Sequence, residues 1–141
     1  MGSKQLWHRA VFLIVCVTLA LIGGDVAADA ADTPEMLYFY SETCEHCMRV
    51  QREFLPDFLD RYGALFTLKR IEVTDPAAKD SLYALETRLK VPEDAKEFPV
   101  VYFLGRIFEG EVQVRLQLAP WVERYQASPD SLLALHREVM S

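Results

Sequence analysis

Cysteine is scarce in this chain, with three residues in 141, at positions 16, 44 and 47. A closed zinc site would need a second ligand pair, which the sequence does not supply. The apolar run Ala10 to Ile22 has 13 residues and falls short of the roughly 20 that span a bilayer. Positive charge is in deficit, with 15 Lys and Arg against 21 Asp and Glu. The net charge of −6 argues against nucleic acid as a partner. No internal repeat and no low-complexity segment is present.

The N-terminus reads as a leader. Lys4, His8 and Arg9 precede the apolar run, Gly23-Gly24 ends it, and small residues offer A-x-A-like cleavage after Ala28 or Ala30. Residues 1–30 are thus expected to be a signal peptide, or an uncleaved anchor holding the same domain at the outer face of the membrane. Residues 31–35 read as a linker and 36–141 as the domain. Cys16 lies inside the apolar run, away from the end where a lipid-bearing cysteine would sit, so it is expected to leave with the leader. Export places the remaining two thiols in an extracytoplasmic, periplasm-like space where disulfides persist and are exchanged. No third thiol is left to form a structural bridge. About 110 residues remain, enough for one domain with one core.

The two thiols form a C-x-x-C, Cys44-Glu45-His46-Cys47. The apolar run Met36 to Tyr40 before it reads as a buried strand. After it, Met48, Val50, Phe54, Leu55, Phe58, Leu59 and Tyr62 recur at helical spacing. Pro56 predicts a kink or break near Leu55, and Gly63 a stop. A strand that hands a C-x-x-C to a helix start is the setting that makes a thiol a redox nucleophile. The alternatives are a structural disulfide, half a zinc site or a chance pairing.

Further along, Leu65 to Val73 reads as a second strand. Asp75-Pro76 offers an N-cap and first-turn proline for a helix whose apolar face is Ala78, Leu82, Leu85 and Leu89. Glu93 to Glu97 is a polar loop. Phe98 to Leu104 reads as a third strand that opens on Pro99, and Gly105-Arg106 as a turn into Ile107-Phe108-Glu109. Val112, Val114, Leu116 and Leu118 alternate with polar residues and predict a strand to about Leu118. Helical segments are expected at Pro120 to Gln126 and Pro129 to Met140. Val114, Leu118, Val122 and Tyr125 also have helical spacing, so a helix over 111–119 stays open.

This succession resembles the thioredoxin-like fold over about Met36 to Val114. The resemblance implies an α/β, three-layer architecture with a central mixed sheet flanked by helices. The segment Phe98 to Gly105 is similar to the one that holds a cis-proline in thioredoxins and glutaredoxins. By that resemblance Pro99 is cis, lies beside Cys44, and with Phe98 holds a substrate backbone next to the attacked sulfur. Cys44 is expected at the helix N-terminus as the nucleophile, with Cys47 one turn inside to resolve the mixed disulfide. His46 would favour the Cys44 thiolate and make the disulfide more oxidising, whereas Glu45 would disfavour the thiolate. The chain departs from the thioredoxin pattern in three places. It lacks Gly-Pro between the cysteines. Thr43 stands where thioredoxins usually carry tryptophan. Tyr38 stands where they bury an aspartate that accepts the resolving thiol's proton, and Glu42 is a candidate substitute only if it escapes solvent.

The functional expectation is an exported protein-disulfide oxidoreductase with no cofactor and no resident metal. It is slightly favoured as a reductase fed by a membrane electron-transfer partner, since it lacks the large helical insertion of dedicated oxidases. The alternatives are a disulfide-donating oxidase or isomerase, and a Cu(I) chaperone using Cys44, Cys47, His46 and Met48. Its partners would be protein thiols and disulfides, with the domain itself expected to be a monomer. Trp121 is expected to pack the C-terminal region, and His136 is given no catalytic role.

Overall fold

The structure is a computed structural model that describes residues 33–141. The expected leader, Cys16 and the start of the expected linker lie outside the described residues. Thr33–Ser141 forms one compact unit, and none of its helices is long and apolar enough to cross a membrane.

Strand β1 (Glu35–Tyr40) leads to helix α1 (Glu45–Arg49). A π-helical turn at Val50–Phe54 joins α1 to α2 (Leu55–Tyr62). Pro56 explains that turn. A proline in the first turn of α2 has no N–H to give the Arg52 carbonyl, and its ring crowds that oxygen. The chain widens over Val50–Phe54 instead of breaking, so the expected kink takes the form of a π turn. Strand β2 (Thr67–Glu72) follows a 3₁₀ turn at Gly63–Leu65, which takes Leu65 out of the expected strand. Helix α3 (Pro76–Arg88) starts as expected, with Asp75 accepting the Ala77 N–H and Pro76 at the first position.

Strands β3 (Val100–Phe103) and β4 (Arg106–Glu109) form a hairpin. Its turn is Leu104-Gly105, both at positive φ, and a Cβ on Gly105 would collide with Leu135. The sheet order is β2-β1-β3-β4, with β1 parallel to β2 and antiparallel to β3. Strand alternation then builds two cores. Met36, Tyr38, Val101, Phe103 and Phe108 face α2 and the helix after β4. Phe39, Val100 and Tyr102 face Leu82 and Leu85 of α3. The result is a three-layer α/β fold.

The segment after β4 corrects the reading of 111–118 as a strand. Gly110–Ala127 is one helix, α4, followed by α5 (Pro129–Met140). Val112 and Leu116 are 66% and 69% exposed, while Val114 and Leu118 are fully buried. Only every second member of the alternating set is inside, and Val114, Leu118, Trp121 and Val122 continue one helical stripe. Pro120 and Leu116 are both exposed, so the Leu116 carbonyl that Pro120 cannot serve lies on the solvent side, open to hydration. Trp121 does pack this region, with its indole N–H donating to the Phe103 carbonyl at 2.9 Å.

Candidate functional site: the Cys44–Cys47 disulfide and its surroundings

Strand β1 ends at Tyr40, and a short polar turn carries the chain to the motif. Thr43 N–H donates to Ser41 Oγ at 3.3 Å, and Cys44 N–H to the Ser41 carbonyl at 3.2 Å. Cys44 takes the N-cap position with extended φ/ψ, and its sulfur accepts the Cys47 N–H at 3.1 Å. Cys44 and Cys47 are joined in a disulfide. Cys47 is completely buried, whereas Cys44 is partly exposed.

One sulfur is thus within reach of solvent and the other lies beneath it. With β1-α-β2-α-β3-β4-α connectivity, sheet order 2-1-3-4 and the disulfide between β1 and α1, the architecture is settled. The fold is thioredoxin-like. Comparison with protein-family models, curated proteins and solved structures finds no match. The assignment therefore rests on topology and on where the motif sits.

The thioredoxin-like frame also locates Phe98 and Pro99. The peptide bond between them is cis. Val100 pairs with Phe39 in the antiparallel β1–β3 register, so the start of β3 lies at the sheet end from which β1 departs for Cys44. The Gly110 N–H donates to the carbonyls of Glu97 at 2.8 Å and Pro99 at 2.9 Å, pinning this loop to the start of α4. Gly110 has φ of +77°, which favours glycine, and a Cβ there would displace the Glu97 carboxylate.

His46 and Glu45 lie in an ionic network that the sequence did not reveal. Glu111, in the first turn of α4, is its centre. Arg49 donates to Glu111 from Nη2 at 2.7 Å and Nε at 3.1 Å, and Arg115 from Nε at 2.9 Å. His46 Nδ1 lies 3.1 Å from the same carboxylate. Arg49 also pairs with Glu45 at 3.0 Å, and Arg115 with Glu53 at 2.8 Å. The Arg49 guanidinium, aided by Arg115 and His46, holds Glu111 down to about 2. Its folded value lies below its unfolded one, so the stability it contributes is present above the ordinary carboxylate range. That stability is lost as pH falls toward about 2. The alternating pattern around Glu111 hides it in the sequence, since an acidic first turn is a signal only once a helix start is placed there.

Tyr38 is fully buried and its hydroxyl donates to the Cys47 carbonyl at 3.2 Å. Burial pushes it up to about 12, against a lowering by Gln51 and Arg70. It stays neutral at ordinary pH and accepts no proton from Cys47. Glu42 is exposed. Among the described residues no group of three or more His, Cys, Asp or Glu is placed to hold a metal. His136 Nδ1 lies 2.9 Å from Tyr102 Oη, at the sheet face away from α1.

Proposed function

We propose that the protein is an exported thiol:disulfide oxidoreductase that exchanges disulfides with protein substrates through Cys44 and Cys47. The observation that carries this reading is a disulfide at a helix start in a thioredoxin-like fold, with one sulfur accessible and the other buried. In the reducing direction the Cys44 thiolate attacks a substrate disulfide. A Cys44–substrate bond forms, the substrate S–S bond breaks, and the leaving thiolate takes up a proton. Cys47, deprotonated, then attacks Cys44 Sγ and releases the second substrate thiol. The substrate gains two electrons and the Cys44–Cys47 disulfide is restored. The Cys47 N–H that donates to Cys44 Sγ stabilises charge on that sulfur. Phe98 and Pro99 would hold the substrate backbone.

Export is read from the basic start and the apolar run Ala10 to Ile22. The reductive direction is supported by the charges around the motif, and its electrons would come from a membrane carrier. Glu45, Glu53 and Glu111 stand against Arg49 and Arg115, which leaves one negative charge in excess when His46 is neutral. An excess of negative charge disfavours a thiolate, so the reduced form is less stabilised and the pair is a better electron donor. The two guanidiniums share Glu111 and pair separately with Glu45 and Glu53, so their positive charge is compensated within the network.

The test is the reduction potential of the pair in the full chain, equilibrated against glutathione. A value near thioredoxin's, about −270 mV, is the expected result. A value near about −120 mV would make the protein a disulfide donor. The absence of any reversible two-electron couple would end the oxidoreductase reading. Glu111→Gln should raise the potential, on the order of 30 mV or tenfold in the exchange equilibrium, because Arg49, Arg115 and His46 lose their counter-charge. An unchanged or lower potential would show that the network does not tune the pair.

A further inference from the structure

Glu109, the last residue of β4, is only 5% exposed. Its Oε2 accepts the Glu97 backbone N–H at 3.2 Å. Its Oε1 is buried and has no hydrogen-bond partner among the described residues. A buried carboxylate oxygen with no donor is costly, and such atoms are rare in folded proteins. Glu109 lines a cavity of about 250 Å³ whose walls include Leu82, Tyr83, Phe98 and Val100, with Glu86 and Lys96 beside it.

Carboxylates outnumber cations around the cavity, with Glu86, Glu97 and Glu109 against Lys79 and Lys96. Glu86 is also buried, and its partner is Lys96 at 3.1 Å. The same ammonium is drawn outward by Glu93 at 2.6 Å. One lysine is thus already shared by two carboxylates, and Glu109 is left over. The other charged groups around the cavity are Lys79 on α3 and Glu97 on the loop before β3. Burial is the main influence on Glu109 and pushes it up to about 7; the nearby Glu86 adds to this, and the Glu97 N–H and Lys96 oppose it. The group is therefore poised to ionise at neutral pH when a donor arrives. Phe98 forms a wall of this cavity and immediately precedes Pro99, so the cavity adjoins the loop that the proposed function gives to the substrate backbone.

We propose that this cavity is a subsite for a lysine or arginine side chain of the protein substrate, near the cysteine presented to Cys44, with the cationic head donating to the Glu109 carboxylate. The apolar stem of such a side chain would lie along Phe98, Leu82 and Tyr83, as long cationic side chains do. The inference rests on the oxidoreductase reading and narrows its substrates to disulfides flanked by basic residues.

The test uses the full chain and three peptide disulfides that differ in one residue beside the cysteine: lysine, norleucine or glutamate. Each rate of reduction is divided by that of the same peptide with dithiothreitol, which removes the intrinsic effect of charge on the disulfide. Well above the Glu109 transition, kcat/KM for the lysine peptide should exceed that for norleucine about tenfold, the scale of one hydrogen bond to a charged group. The glutamate peptide should be slowest. The lysine advantage should shrink as pH falls through about 7 and Glu109 takes up a proton. Glu109→Gln keeps an acceptor for the Glu97 N–H and should bring the lysine-to-norleucine ratio close to one. Should that variant fail to fold, the pH dependence of the ratio in the unaltered protein decides. Equal corrected rates for lysine and norleucine at every pH, with all three peptides reduced, would overturn the subsite and leave the oxidoreductase intact. No reduction of any peptide would overturn both.

Discussion

Cys44→Ser will reduce insulin no faster than the uncatalysed mixture, while Cys47→Ser will accumulate covalent complexes with its substrates. The two outcomes differ because the two sulfurs differ. Cys44 is partly exposed at the N-cap, with an N–H aimed at its sulfur; Cys47 is completely buried behind it. Serine at 44 removes the atom that a substrate can reach, and Cys47 has no route to replace it. Serine at 47 leaves the first attack in place and removes the second, so the mixed disulfide has nothing to resolve it except external thiol. Mass spectrometry of the Cys47→Ser protein after incubation with an oxidised substrate measures this. Insulin reduction by Cys44→Ser at the unaltered rate would remove the chemistry from this pair. Trapping through Cys44→Ser and not through Cys47→Ser would reverse the roles. Tyr38 does not bear on this difference, since its hydroxyl is neutral at ordinary pH and faces the Cys47 carbonyl.

Leu118→Ala should cost about 2–5 kcal/mol of stability, whereas Leu116→Ala should stay within about 0.5 kcal/mol. In the sequence these leucines belong to one alternating series. In the structure Leu118 is fully buried against the sheet and Leu116 is 69% exposed. Truncating Leu118 leaves a void bounded by neighbours such as Val114 and Val122, which the surrounding core cannot fully close. Truncating Leu116 only returns apolar surface to alanine on a solvent-facing turn. Urea unfolding of the two variants against the parent protein gives the comparison. Equal and large losses would mean that both side chains face one core, as in a strand of alternating pattern, and would contradict a helix over Gly110–Ala127.

That same stretch shows where the sequence stops being decisive. Val112, Val114, Leu116 and Leu118 satisfy a period of two, and Val114, Leu118, Val122 and Tyr125 satisfy a period near four. Local pattern cannot choose between them, and Pro120 weighs against a helix when only local propensity counts. The choice is made by what lies opposite. The sheet face formed by Met36, Tyr38, Val101, Phe103 and Phe108 needs a covering stripe, and a helix through Val114, Leu118, Trp121 and Val122 supplies it. Pro120 is harmless there because it falls on the outer side of the helix.

The motif was legible in the sequence because its signal is local. Two thiols at a spacing of three, an apolar strand before them and a helical period after them are all contained between Met36 and Tyr62. So were the alternation of strands and helices, whose resemblance to the thioredoxin-like fold implied the three-layer α/β class, and the capped start of α3 at Asp75-Pro76. The surroundings of the motif were not legible. Glu111 reaches His46 and Arg49 across more than sixty residues of sequence, and Glu109 is left with an unpaired oxygen beside Phe98 only because β4 ends next to the loop before β3. Charged residues carry no period that marks them as buried or paired; burial and pairing are properties of the neighbours that folding brings. The sequence by itself determined which bond this protein can make and break. The tertiary structure alone decided which charges stand around that bond, because those charges arrive from strands and helices distant in the chain.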